Sequence, residues 1–259
     1  MEISINKTTA SGFQKMAGFS LDTQSRHCSE HGEYQALQTP VGMSDCPRCN
    51  AQRQHEALLR QEALASERAL LRRAAIPERF SDRRIDTFNA TNQRAEVAQR
   101  LVRDYANGFG EARRTGRGMI LCGGVGTGKT HLAIGAIHQV TTGGFTALYA
   151  VLLDTLRSIK DTYRKDSAVT ETVAMARLTA PDLLVLDEIG VQHGTDTERM
   201  LMFSILNARY NQMKPTILIS NLAREPLETY LGERAFDRMR EGGGRMVVFD
   251  WESYRGVRA

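Results

Sequence analysis

The chain has no run of about 18 apolar residues, the length that a membrane-crossing helix requires. Residues 1–20 lack the apolar core of a secretory signal, so a cytoplasmic protein with no membrane partner is expected. Cysteine is scarce, at four residues, and a cytoplasmic setting argues against pairing them as disulfides. Arginine is scattered and forms no basic tail, so the net charge of +4 favours a nucleic-acid partner only weakly. Residues 1–25 show little hydrophobic period and carry no reading of function. What is present is an ordinary globular composition, 41% hydrophobic and 25% charged, with length for one α/β domain and a smaller appendage.

Eight residues organise the rest. Gly123-Gly124-Val125-Gly126-Thr127-Gly128-Lys129-Thr130 fits G-x-x-x-x-G-K-[ST], the phosphate-binding P-loop. Residues 118–122 read as a short apolar strand before it, and 131–140, opening on His131, as the helix after it. Glycines let backbone N–H groups turn inward around phosphate oxygens, and the helix N-terminus adds partial positive charge. Lys129 can reach the β- and γ-phosphates, and Thr130 can place its hydroxyl on Mg2+. The bland alternative, a glycine-rich turn that merely joins strand to helix, leaves Lys129 and Thr130 without a role. ATP with Mg2+ is the expected ligand.

A second apolar strand, Leu183-Leu184-Val185-Leu186, ends in Asp187-Glu188. Asp187 can hold the Mg2+ shell through water, and Glu188 can orient and polarise the attacking water as general base. An acidic strand end without catalytic duty is the alternative. The P-loop lying upstream by a strand–helix unit or two argues against it. Residues 215–221 read as a further strand ending in Ser220-Asn221. This places Asn221 beside the γ-phosphate or simply begins the next helix. Helices are expected at 95–109, 152–165, 170–179 and 198–212, a charged loop at 111–116, and strands at 145–151 and 245–250. Strand–helix alternation throughout predicts a parallel, doubly wound sheet. Residues 232–240 carry three arginines, which either solvate a surface or reach a neighbouring subunit's phosphate as an arginine finger.

Nearer the N-terminus stand Cys28-Ser29-Glu30-His31 and Cys46-Pro47-Arg48-Cys49, two C-x-x-(C/H) pairs separated by a loop. Cys28, His31, Cys46 and Cys49 are the four ligands of a tetrahedral zinc site, with His27 able to compete with His31. So small a region, with few large apolar residues, gains its folding energy from such a metal. Free thiols beside an incidental histidine are the alternative. Cys122, at a strand end, reads as a core residue. Residues 50–75 read as a long helix with an apolar stripe through Leu58, Leu59, Leu64, Leu70 and Leu71 and a solvated arginine face. Ile76-Pro77 ends it. The domain division is therefore 1–76, a helical and zinc-binding module, and 77–259, the nucleotide domain.

From residue 76 onward the chain resembles the AAA+ ATPases of the DnaC helicase-loader family, relatives of the IstB transposition helper and the DnaA initiator. The resemblance rests on IPERF (76–80), GGVGTGKTHLA (123–133), LLVLDEIG (183–190), ILISNL (217–222), GERAFDRMR (232–240) and FDWESYR (249–255). It implies a P-loop parallel sheet flanked by helices, without a full C-terminal lid. Asp187 and Glu188 become Walker B, Asn221 sensor 1, Arg238 the finger acting in trans, and Arg234 a second interface arginine. Arg255 falls where a sensor 2 arginine acts. It further implies an ATP-dependent homo-oligomer and an N-terminal module gripping a replicative DnaB-type helicase hexamer. Single-stranded DNA would meet the helix at 152–165 through Arg157, Lys160, Arg164 and Lys165. An IstB-like transposition ATPase on duplex DNA is the rival reading. A zinc-bearing DNA-binding module with a nucleotide switch is the third, opposed by intact Glu188 and Arg238.

Overall fold

The computed structural model describes residues 23–191 and 195–254. The chain divides into two compact units, Met1–Leu64 and Ala65–Ala259. In the first, strands β1 (Thr23–Cys28) and β2 (Gly32–Thr39) pair antiparallel, with Thr23 opposite Leu37 and Cys28 opposite Gly32. Strand β3 (Gly42–Met43) adds a short third member. The spacer between the two Cys/His pairs is therefore a β-hairpin and not a loop. Ala36 is the one buried residue among these strands, so no alternation betrays them. Helix α1 (Pro47–Arg73) opens on a proline at its first position, where a missing N–H costs nothing. Its expected apolar stripe is not buried: Leu58, Leu59 and Leu64 are each about half exposed, and no residue of α1 is buried. Ala, Leu, Glu and Arg sustain this helix by intrinsic propensity.

The second unit runs α2 (Gln93–Asn107), α3 (Phe109–Thr115), β4 (Met119–Gly123), α4 (Lys129–Thr142), β5 (Ala147–Val151), α5 (Leu152–Asp161), α6 (Glu171–Thr179), β6 (Leu183–Ile189), α7 (Asp196–Asn211), β7 (Thr216–Ser220), α8 (Arg224–Leu231), α9 (Glu233–Arg240) and β8 (Arg245–Phe249). Five strands form one wholly parallel sheet in the order β5-β6-β7-β4-β8. Each strand sends alternate residues to opposite faces. Met119, Leu121, Leu183, Val185, Ile217 and Ile219 pack with α2, α3 and α4. Ile120, Cys122, Leu184, Leu186 and Leu218 pack with α5 to α9. The chain leaves β4 toward β5, three strands away, while β7 is followed by β8 on the far side of β4. That change of direction puts the carboxyl end of β4 at a topological switch point, where α/β sheets bind ligands.

Two expected boundaries move. Residues 111–115 belong to α3 and not to a loop, because Phe109 and Ala112 bury one side and Gly116, left-handed at φ 71°, closes the helix. The helix expected over 152–165 stops at Asp161, where bonding shifts to three-residue turns at Thr162, Tyr163 and Arg164. Arg164 and Lys165 consequently lie beyond α5. Among the described residues no helix is long and apolar enough to cross a membrane.

Arg209 of α7 is completely buried, and all five of its N–H groups have acceptors. Nε donates to the Thr216 hydroxyl at 3.0 Å, Nη1 to the carbonyls of Leu178 and Pro181, and Nη2 to those of Asp182 and Pro215. Burial pulls the guanidinium down to about 9, so it stays charged at neutral pH. These bonds pin the amino ends of β6 and β7, the strands whose other ends carry Asp187 and Asn221. Lysine brings three donors from one point and cannot span them. Arg209→Lys should lower stability by about 3 kcal/mol in urea unfolding; a loss below about 0.5 kcal/mol would show that the network is dispensable.

Candidate functional site

Strand alternation puts Asp187 on the same face of β6 as Leu183 and Val185, the face covered by α4, and α4 begins at Lys129-Thr130. The two motifs therefore meet. Thr130 Oγ1 donates to Asp187 Oδ2 at 2.9 Å, Tyr149 of β5 donates its hydroxyl to the same oxygen at 2.8 Å, and the Glu188 N–H donates to Oδ1 at 2.7 Å. Asp187 is nearly buried, at 6% exposure. A hydroxyl and a carboxylate in contact are the hard oxygen pair that Mg2+ takes, so these residues fit the cation that the P-loop implies. Tyr149 is the member that sequence reasoning missed. In a short apolar strand a tyrosine reads as core, and only the register, Val151 opposite Asp187, reveals it.

Glu188 departs from the strand. Its φ is 62°, rare for a residue with a side chain, and the β6–β7 register is irregular between Leu186 and Ile189. Regular alternation would have driven Glu188 into the core with Leu184 and Leu186. The irregularity leaves it exposed beside the buried Asp187. Such a residue stores about 1–3 kcal/mol of backbone strain. Asn221 follows the last residue of β7 and is exposed, and the strand end beside it is tied to β6 by Ser220 Oγ donating to the Ile189 carbonyl at 2.7 Å.

The loop itself is held by its carbonyls. Lys129 is buried and its ammonium donates to the carbonyls of Gly123 and Gly124 at 2.8 and 2.6 Å. Thr127 Oγ1 also donates to Gly124 at 2.8 Å, while Val125 stands exposed. From the C-terminal segment, Trp251 Nε1 donates to the Thr127 carbonyl and the Tyr254 N–H to that of Gly126. Two glycines are sterically required. A Cβ on Gly123 would lie 2.2 Å from the Phe249 carbonyl oxygen, and one on Gly128 would lie 2.5 Å from the Phe88 ring. His131 turns to the segment before α2, its Nε2 2.9 Å from the Arg84 carbonyl and its ring edge-on to Phe88; burial lowers its pKa.

Arg238 is half-buried against its own chain. Its guanidinium lies 5.1 Å from the ring centres of both Phe203 and Tyr210 and donates to Asn207 Oδ1. Arg234 is exposed, and Arg255 lies outside the described residues. Of the cations expected at 152–165, Lys160 pairs with Glu198 at 2.9 Å, Arg157 with Asp154 at 3.6 Å and Arg164 with Asp166 at 3.7 Å; Arg157, Arg164 and Lys165 are exposed.

In the N-terminal unit, Cys28, His31, Cys46 and Cys49 bring their ligand atoms within 4.8 Å of one another. Cys28 and Cys49 sulfurs stand 3.5 Å apart, too far for a disulfide, and His31 Nδ1 is 3.2 Å from Cys49 and 3.8 Å from both other sulfurs. A tetrahedral zinc site with Zn–S near 2.3 Å sets its sulfurs about 3.8 Å apart. The donor set fits zinc, and His31 joins it while His27 stays exposed on β1. The amide of Glu30, then His31, holds the Cys28 thiol down at about 6, and the adjacent Cys28 pushes Cys49 up. Elemental analysis of the purified protein should find about one zinc per chain, lost in Cys46→Ser with melting of the hairpin. A metal-free protein with an ordered hairpin would return these residues to free thiols.

Residues 34–240 match the family of IstB-like ATP-binding proteins. The replicative helicase loader DnaC of Buchnera aphidicola subsp. Baizongia pistaciae is 30% identical over 200 residues, 77% of this chain and 80% of its own. The replicative helicase loader DnaC of Escherichia coli K12 is 38% identical over 136 residues, 52% of this chain and 55% of its own. A crystal structure of the DnaC helicase loader shares the fold, with a TM-score of 0.60 at 23% identity over 67% of this chain and all of the other. With a P-loop, its strand-end carboxylate and this similarity over most of its length, the chain belongs to the IstB/DnaC family of P-loop ATP-binding proteins.

Proposed function

We propose that this protein is an ATPase that binds a replicative helicase and delivers it to single-stranded DNA, hydrolysing ATP at interfaces between its own subunits. The observation that carries the nucleotide reading is the Thr130–Asp187 contact at the head of α4. The direction toward helicase loading comes from relatives of 30–38% identity that are replicative helicase loaders. Lys129 would exchange its loop carbonyls for phosphate oxygens. Asp187 and Thr130 would hold Mg2+, which supplies charge neutralisation on the phosphates. Glu188, exposed at the strand end, would accept the proton of the attacking water, and Asn221 would orient that water.

Arg238 would complete the site of an adjacent copy. Leaving its cradle forfeits a cation–π pair and a hydrogen bond, about 1–3 kcal/mol, which a phosphate in a dry interface can repay. The Cys/His module would grip the helicase. Arg157, Lys160, Arg164 and Lys165 would track the DNA backbone, the first three exchanging the carboxylates of Asp154, Glu198 and Asp166 for phosphates. The second reading, a transposition helper on duplex DNA, is favoured by one observation, the match to IstB-like proteins over 34–240.

Lys129→Ala should abolish ATP binding by calorimetry, and unchanged affinity would remove the P-loop role. Glu188→Gln should bind ATP yet turn it over at least about a hundredfold more slowly. Mixing Glu188→Gln chains with Arg238→Ala chains should recover part of the hydrolysis; silence in the mixture would count against action in trans. Retention on an immobilised hexameric replicative helicase with ATP supports loading, whereas binding to duplex DNA alone selects the transposition reading.

A further inference from the structure

Asp187 takes one of its hydrogen bonds from a residue that no phosphate-loop motif contains. Tyr149 lies in β5, an edge strand of the sheet, with its ring packed among the residues beneath α4 and 7% exposed. The parallel register with β6 fixes its height, Tyr149 opposite Val185 and Val151 opposite Asp187. On the open edge of β5 its own N–H donates to the Ala74 carbonyl at 2.8 Å. Its hydroxyl donates to Asp187 Oδ2 at 2.8 Å.

A carboxylate offers about four lone-pair sites. In Asp187, Tyr149 and Thr130 occupy Oδ2, and the Glu188 N–H occupies one site on Oδ1. Thr130 can offer its oxygen lone pairs to a cation while its proton stays on Oδ2. A second site on Oδ1 can then take a water of that cation. Without Tyr149, Oδ2 would keep only the Thr130 hydroxyl, whose oxygen the cation also takes, so the carboxylate would be held less firmly about its Cβ–Cγ bond and that site less well aimed. We propose that Tyr149 is a positioning residue for the nucleotide's divalent cation, locking the Asp187 carboxylate from the edge strand β5. The proposal rests on the nucleotide reading above.

The test is a Mg2+ titration of a fluorescent, non-hydrolysable ATP analogue on the full chain. Tyr149→Phe keeps the ring and removes the hydroxyl. The Mg2+ midpoint should rise about tenfold, the worth of one hydrogen bond to a charged group, while binding in EDTA stays at the wild-type level. In an Asp187→Asn background the same substitution should add nothing, because the partner through which it acts is already changed. Tyr149→Leu carries the same expectation if Tyr149→Phe proves too unstable to assay. An unmoved midpoint, an equal loss in EDTA, or an undiminished effect beside Asp187→Asn would each overturn the proposal. Wild-type binding that ignores Mg2+, or survives Lys129→Ala, would instead remove the nucleotide reading and the proposal with it.

Discussion

A carboxylate at 6% exposure is largely stripped of solvating water, and the groups around Asp187 are arranged to answer that. Three donors converge from three different stretches: the head of α4, the edge strand β5 and the next peptide in β6. Each is brought there by sheet register or by the P-loop. The two signatures of the sequence are thus one electrostatic unit. Shifting β5 by one residue would turn Tyr149 to the opposite face of the sheet. The Arg209 network fixes the far ends of β6 and β7 by the same logic, a buried charge surrounded by oriented dipoles. One end of the sheet is stapled by a cation and the other holds an anion.

The P-loop shows a complementary economy of hydrogen bonds. Its carbonyls at Gly123, Gly124, Gly126 and Thr127 are directed to donors within the chain: Lys129, the Thr127 hydroxyl, the Tyr254 amide and the Trp251 indole. Turning acceptors toward the protein leaves the opposite, amide-lined side of a loop suited to anions. The segment 249–254 therefore serves the nucleotide site directly, as does Phe88, whose ring would collide with any side chain at position 128.

What the sequence made legible is what depends on residue identity at fixed spacing. The P-loop, the Asp187-Glu188 strand end and the two Cys/His pairs need only their neighbours to be recognised. The continuous apolar runs of β4, β6 and β7, alternating along the chain with helical segments, predicted the parallel sheet for the same reason. What stayed hidden depends on partners far along the chain. Tyr149 becomes a site residue through register with β6, and Arg209 looks like any helix-surface arginine until its carbonyl acceptors are placed. Phe203, Asn207 and Tyr210 lie on one face of α7 at helical spacing, yet their object, Arg238, is on α9. The hairpin was illegible because a three-stranded sheet with a single buried residue has no hydrophobic period to read. The end of α5 was missed because propensity favoured continuing through residues that the chain instead spends on turns.

In the proposed mechanism, these hidden contacts have a common consequence. Lys129, Asp187 and Arg238 are the charged groups assigned to phosphate, cation and neighbouring nucleotide, and each is already satisfied by its own chain. None is poised as a bare charge, so the resting subunit avoids the desolvation penalty that a preformed, unpaired site would carry. For Lys129 and Arg238 a ligand must then replace contacts instead of adding to them, and only a group of higher charge does so favourably: phosphate over a carbonyl for Lys129, a neighbour's phosphate over two aromatic rings for Arg238; Asp187 keeps its three donors and would take a water of Mg2+ on the remaining Oδ1 site. Discrimination follows from that difference. Mg2+-bound ATP at an assembled interface can replace the Lys129 and Arg238 contacts and fill the remaining Asp187 site at once, whereas nucleotide on a single subunit leaves the Arg238 contacts in place.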